Sequence, residues 1–203
     1  MRNKIYPIAL IAAACAIVFA ACGGPKTPTP EPTRRPVMSF DFEDVCREGS
    51  VARAAAYEPE PGSGDVHPVI VFRKDTEGSN SYHEIYPSTL EFPASWMVDT
   101  GGDYGVIEIV TCVERVEEEF VRTCDYEDDE DDEVYKLDIY NATYEVNVYT
   151  AQSGEALGNT TMNAIDEECP MMYFFSEGES KEDYFAPVPP ADLQAYLEQF
   201  VKP

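Results

Sequence analysis

The chain has 203 residues, 44% hydrophobic and 12% aromatic, which supports one core-bearing domain with appendages and excludes a wholly disordered chain. Its 39 Asp and Glu against 14 Lys and Arg give a formal net charge of −25. Such a surface repels phosphate backbones and anionic headgroups, so nucleic-acid binding is disfavoured and the folded part is not expected to lie on a membrane, whereas cationic partners remain compatible.

Residues 1–21 read as a secretory signal peptide. Arg2 and Lys4 form a positive start, and residues 5–21 (IYPIALIAAACAIVFAA) are uncharged and almost wholly apolar. The run is marginal in length for a spanning helix. Its end, Phe19-Ala20-Ala21-Cys22, resembles the bacterial lipobox: an apolar residue, two small residues and a cysteine, with Phe19 where leucine is usual. The resemblance implies cleavage before Cys22, a diacylglycerol on its thiol, further acylation by a palmitate-type chain, and a domain on the extracytoplasmic side of the cell membrane or outer membrane. Acyl chains contributing about 0.8 kcal/mol per buried CH₂ anchor a protein stably once two or more are present. Cys15 also follows small residues, but cleavage there leaves a very short apolar run. Removing residues 1–21 takes away two cations and no acid, so the remainder carries −27.

Residues 22–37 form a tether that begins at the lipidated cysteine. The sequence GGPKTPTPEPTRRP alternates proline with Thr, Glu and Arg and holds no large apolar residue. It predicts extended polyproline-II-like chain, about 40 Å at about 3.1 Å per residue.

Residues 38–203 form the folded, acidic, disulfide-containing domain. Residues 69–73 predict a short buried strand, and 104–113 (YGVIEIVTCV), apolar on both alternating faces, a central strand covered on both sides. Residues 119–126 predict its antiparallel partner. Residues 134–150 predict the longest strand, but Leu137 and Ile139 are odd-numbered while Tyr144, Val146 and Val148 are even. A bulge or twist near 139–142 reconciles the two sets. Gln152-Ser153-Gly154-Glu155 predicts a turn into a return strand over 156–163. Pro190 followed by Leu193, Tyr196, Leu197 and Phe200 at three- and four-residue spacing predicts one C-terminal helix. The fold class is mainly β, an antiparallel sandwich or twisted sheet with a terminal helix.

Beyond Cys15 and Cys22, four cysteines remain: Cys46, Cys112, Cys124 and Cys169. An even number in an exported domain predicts two disulfides. Pairing Cys112 with Cys124, on strands expected to be antiparallel neighbours, leaves Cys46 with Cys169. No CxxC spacing or nearby histidine supports zinc or redox chemistry.

No catalytic motif stands out, no catalytic residue is assigned and no cofactor is implied. The two histidines, His67 before Pro68 and His83 in NSYHEIY, lack a nucleophile context. Acids are too numerous for any pair to be singled out as a glycosidase dyad. Asp128, Asp129, Asp131 and Asp132, next to Asp125, offer hard oxygen ligands without the spacing of an EF-hand, so they read as a solvated loop with at most a weak divalent-cation site. Tyr82, Tyr86, Trp96, Tyr173, Phe174 and Phe175 are candidates for a ligand surface. Trp96 in FPASWMV and residues 171–175 after Cys169-Pro170 read as buried instead.

Cys112-Val113-Glu114, Thr123-Cys124-Asp125-Tyr126, Ala151-Gln152-Ser153-Gly154-Glu155 and Cys169-Pro170 resemble segments of uncharacterised bacterial lipoproteins and membrane-anchored proteins. The resemblance implies no activity, and no functional residue is carried over. The expected function is therefore a lipid-anchored, non-enzymatic binding or scaffolding domain for a cell-envelope partner. The alternatives are an envelope hydrolase with an unrecognised site and a weak divalent-cation binder.

Overall fold

The computed structural model describes residues 35–60, 62, 64–74, 79–98, 102–127 and 133–203. The signal sequence, Cys22, most of the tether and acidic residues 128–132 lie outside them. Residues Pro36–Pro203 form one compact unit.

The fold is mainly β with a short C-terminal helix, as the patterning predicts. The strands are β1 (Val69–Lys74), β2 (Tyr82–Glu84), β3 (Ile109–Glu127), β4 (Val134–Thr150), β5 (Ala156–Ala164) and β6 (Lys181–Phe185); the helices are α1 (Pro87–Leu90) and α2 (Pro190–Val201). They make a single mixed sheet in the order β2-β1-β3-β4-β5, with β6 beside the first half of β4. Two pairings, β1 with β3 and β4 with β6, are parallel where antiparallel neighbours are expected.

Strand β3 departs most from expectation. Residues 104–113 and 119–126 are not two neighbouring strands. Tyr104–Val106 is a short 3-10 helix, capped by the Asp103 side chain, and everything from Ile109 to Glu127 is one strand. Its partner β4 runs antiparallel to it along its whole length, from Ile109 opposite Thr150 to Glu127 opposite Val134.

The register shifts lie on β3, between Arg115 and Glu117 and between Phe120 and Arg122, each adding one residue opposite an unbroken β4. No bulge in β4 at 139–142 is needed. The odd and even apolar sets of β4 occupy its two faces, and what changes along the strand is which face is covered. In the half shared with β1 and β5, Ala142, Tyr144, Val146 and Val148 pack under Leu193, Leu197 and Val201 of α2 and under Leu90, Phe92 and Trp96. The other face of this half carries Ile70, Phe72, Val110 and Cys112 against Phe42 and Val45 of a 3-10 helix, Ser39–Arg47. Beyond Glu117, among the described strands, β4 stays paired to β3 and β6 pairs with the other edge of β4, and there Leu137, Ile139 and Cys124 are covered instead.

The cysteines pair differently from expectation. The bonds are Cys46–Cys112 and Cys124–Cys169, with Cα–Cα distances of 5.6 and 5.8 Å. Twelve steps of one extended strand separate Cys112 from Cys124, about 40 Å at about 3.3 Å per residue, whereas a disulfide needs Cα atoms within about 7 Å. Cys46–Cys112 ties the 3-10 helix to the sheet, and Cys124–Cys169 ties the segment after β5 to the far end of β3.

Helix α2 begins at Pro190, whose missing N–H is no loss at a helix start. Its Tyr196 and Phe200 rings lie over β5 at Gly158, where a Cβ would sit 2.8 Å from Phe200. At its C-terminal end, where carbonyls lack helical partners, the Phe200 carbonyl accepts the Tyr57 hydroxyl at 3.0 Å and the Val201 carbonyl accepts the His67 N–H at 3.0 Å.

Candidate binding cleft at the far end of the sheet

The far end of the β3–β4 ribbon carries a cleft of about 860 Å³. Strand β3 supplies Tyr126 and Glu127, and β4 with the residue before it supplies Tyr135 and Glu133. The remaining wall is chain between β5 and β6, residues 171–180. The Cys124–Cys169 bond fixes the start of this wall, and the Tyr126 hydroxyl donates to the Pro170 carbonyl at 2.7 Å.

Phe175 is the hub of the floor. Its ring meets Tyr126 edge-on at 5.8 Å, Tyr173 edge-on at 5.1 Å and Tyr135 in a tilted contact at 5.1 Å. Such contacts add about 0.5–1.5 kcal/mol per pair beyond area burial. The Tyr173 hydroxyl donates to Glu182 Oε2 at 2.9 Å, and the Ser176 N–H donates to Oε1 of the same carboxylate at 2.5 Å. Burial first, then the bond to the anionic Glu182, push the Tyr173 phenol up to about 12. The Ser176 N–H, then the Ser176 and Tyr173 hydroxyls, hold the Glu182 carboxyl below its ordinary value.

Strand β6 is anchored to β4 by charge. Asp138, buried in β4, accepts from Lys181 Nζ at 2.7 Å and from the Thr123 hydroxyl at 2.6 Å. These two partners hold its carboxyl below the ordinary aspartate value against the opposing effect of burial.

The rim contrasts with the floor. Phe174 is 84% exposed, Met172 is 71% exposed and Met171 is fully exposed. The expectation that 171–175 is buried therefore holds only in part. Tyr173 and Phe175 turn inward into the aromatic floor, while Met171, Met172 and Phe174 face solvent, because the segment runs across the end of the ribbon with one side covered. Glu127, Glu133, Glu177 and Glu179 also line the cleft, and among the described residues its lining holds no Lys, Arg or His.

The other predicted candidates lie elsewhere. His67 is buried in the structural joint under α2, its Nδ1–H donating to Glu108 Oε2 at 2.6 Å and its ring edge-on to Tyr57 at 4.9 Å. His83 is on edge strand β2, Trp96 is buried in the core as expected, Tyr82 is buried, and Tyr86 is exposed but away from the cleft lining. The aspartates at 128, 129, 131 and 132 fall outside the described residues. Among those described, no three His, Cys, Asp or Glu side chains come together to hold a metal ion, and no helix is long and apolar enough to cross a membrane.

Of the aromatic residues that the sequence offers for a ligand surface, Tyr173, Phe174 and Phe175 come together here. Tyr126, Tyr135, the two methionines and the four glutamates join them without being singled out by sequence patterning. The run Met171-Met172-Tyr173-Phe174-Phe175, bracketed by Cys169-Pro170 and by Glu177 and Glu179, is the signal that marks the place. It is a dense apolar stretch with no strand or helix period. No protein-family model, no curated protein and no solved structure matches the chain.

Proposed function

We propose that this chain is a lipoprotein, held by acylated Cys22 on the extracytoplasmic side of a bacterial membrane, whose β-domain binds another envelope component without transforming it. The lipobox-like Phe19-Ala20-Ala21-Cys22 and the proline-rich tether support the anchor. The two disulfides suit an oxidising compartment.

The observation that carries the binding reading is the cleft at the far end of the sheet. Exposed Met171, Met172 and Phe174 stand on a floor locked by rings and a disulfide. Aromatic and methionine side chains are enriched at interaction surfaces and charged ones depleted from their centres. The exposed apolar groups and the glutamates share the lining of one cleft. Catalysis finds less support, since His67 is taken up by Glu108 in the core and neither histidine lines the cleft.

Metabolic labelling with an alkyne-tagged palmitate, followed by detergent-phase partitioning, tests the anchor. The wild-type chain is expected to take up label and enter the detergent phase, and Cys22→Ser to do neither. Equal labelling of both, or of neither, sinks the anchor reading.

A further inference from the structure

We propose that the cleft takes a basic amphipathic segment of a protein, with apolar residues seated on Met171, Met172 and Phe174 and Lys or Arg side chains against Glu127, Glu133, Glu177 and Glu179. The inference rests on the binding reading above and names the partner class for that same cleft.

Charge complementarity selects this occupant. Among the described residues, four glutamates and no Lys, Arg or His line the cleft, beside the exposed Met171, Met172 and Phe174. An anionic ligand is repelled throughout. A purely cationic one leaves the exposed methionines and phenylalanine in water. A segment carrying both kinds of side chain satisfies both parts of the lining. Tyrosine and phenylalanine faces beside carboxylates also favour ammonium and guanidinium groups. Unbranched methionines adapt to differing apolar side chains, so the surface suits a class of segments more than a single sequence.

The wall is also pre-formed. The Cys124–Cys169 bond, the Tyr126 to Pro170 hydrogen bond and the Glu182 contacts hold residues 169–176 before any partner arrives. Little ordering then remains to oppose association.

Fluorescence anisotropy tests the proposal with three labelled synthetic peptides of equal length: a helical Leu/Lys peptide, the same peptide with Gln for every Lys, and an oligolysine. The full chain is held in phosphatidylcholine nanodiscs, with empty nanodiscs as the blank. The variants are Met172→Ala/Phe174→Ala, Glu177→Gln/Glu179→Gln and, as a charge-matched control on β4 and in the β4–β5 turn, Glu145→Gln/Glu155→Gln. All the substituted side chains are outside the core, so each variant is expected to keep the wild-type far-ultraviolet spectrum.

The Leu/Lys peptide is expected to bind at least about tenfold more tightly than either of the others. Each cleft variant is expected to weaken it about five- to tenfold, and the control variant less than twofold. Oligolysine binding as tightly as Leu/Lys, or the control weakening it as much as Glu177→Gln/Glu179→Gln, would reduce the effect to net charge and overturn the proposal. If the Leu/Gln peptide binds equally well and only Met172→Ala/Phe174→Ala weakens it, the partner class is wrong while the cleft remains a binding surface. If a neutral oligosaccharide such as chitotetraose binds in a Phe174-dependent way and the Leu/Lys peptide does not, the partner class is likewise wrong. If no probe responds to either cleft variant, the binding reading falls with it.

Discussion

His67 shows how one side chain is committed to structure. It lies two residues before β1, its backbone N–H holds the end of α2, and its ring holds Glu108 immediately before β3. His67→Ala removes a ring that is 6% exposed and leaves a largely buried carboxylate without this partner. Breaking such a pair from one side is expected to lower unfolding free energy by about 2–3 kcal/mol, while Glu108→Gln, which keeps an acceptor for the imidazole, loses about 1 kcal/mol. Urea titration of the two variants measures the difference, and a larger loss for Glu108→Gln would contradict the account. Asp138 makes the opposite kind of contact, a carboxylate stabilised in its charged form. Because its folded-state carboxyl is held below the ordinary value, its contribution is present above about pH 4 and fades as pH falls through the depressed value. Asp138→Asn is therefore expected to lower stability by about 1–2 kcal/mol at pH 7, with the gap to wild type closing towards pH 2, as followed by thermal unfolding across that range. Tyr173 titrates the other way. Its proton is retained up to about pH 12 in the folded chain, so the stability it contributes is full below about pH 10 and is lost as pH rises through about 12. Absorbance titration of tyrosinate in wild type and Tyr173→Phe is expected to show a late-titrating tyrosine missing from the variant.

At the level of elements, the molecule is a doubly covered sheet with a narrower ribbon extending from it. Past Glu117, β3 has β4 on one side and no described strand on the other, with β6 beyond β4. Amide exchange is expected to be slowest around Val110, Val146 and Val148 and faster from Glu117 to Glu127, in keeping with the lower density of buried contacts there. Digestion of the unreduced chain, followed by mass mapping, is expected to recover Cys46 linked to Cys112 and Cys124 linked to Cys169; a Cys112–Cys124 peptide would refute the single-strand description of β3. Sequence patterning divides β3 into two strands, and the cause of that error is specific. Between Cys112 and Cys124 the chain reads VERVEEEFVRT, polar enough to suggest a turn. Its glutamates are tolerated in a strand because this stretch forms an exposed sheet edge, where charge also discourages pairing with another chain. Strand β4, β5, the turn at Gly154 and helix α2 are legible because their signals are local: alternation, a glycine that adopts φ +71, and a three–four spacing after proline. Gly154 is doubly constrained, since a Cβ there would fall 2.3 Å from the Gly49 carbonyl oxygen. The cleft is only partly legible, because it joins three stretches distant in sequence through a disulfide whose partners sequence alone leaves open.

At the scale of the whole molecule, charge acts on stability and on association in opposite directions. A net charge of −25 on 203 residues disfavours the compact state by self-repulsion. Raising sodium chloride from about 10 mM to about 150 mM shortens the Debye length from about 30 Å to about 8 Å. That screening is expected to raise the unfolding midpoint by about 2–4 °C, the equivalent of about 1 kcal/mol for a domain of this size. The field that opposes folding also draws a basic segment towards the glutamates of the cleft, so the same increase in salt is expected to slow association of the Leu/Lys peptide about tenfold. Dissociation should change much less, because the apolar contacts to Met172 and Phe174 are not screened. Stopped-flow anisotropy beside thermal unfolding, over one salt series, measures both quantities. Calcium chloride at matched ionic strength separates screening from a discrete site: a midpoint no higher than in sodium chloride follows from screening alone, whereas an excess at millimolar calcium would require a cation bound to the native chain. A midpoint that falls with salt would mean that screened ion pairs outweigh the screened repulsion, and the whole-molecule account of the charge would fail.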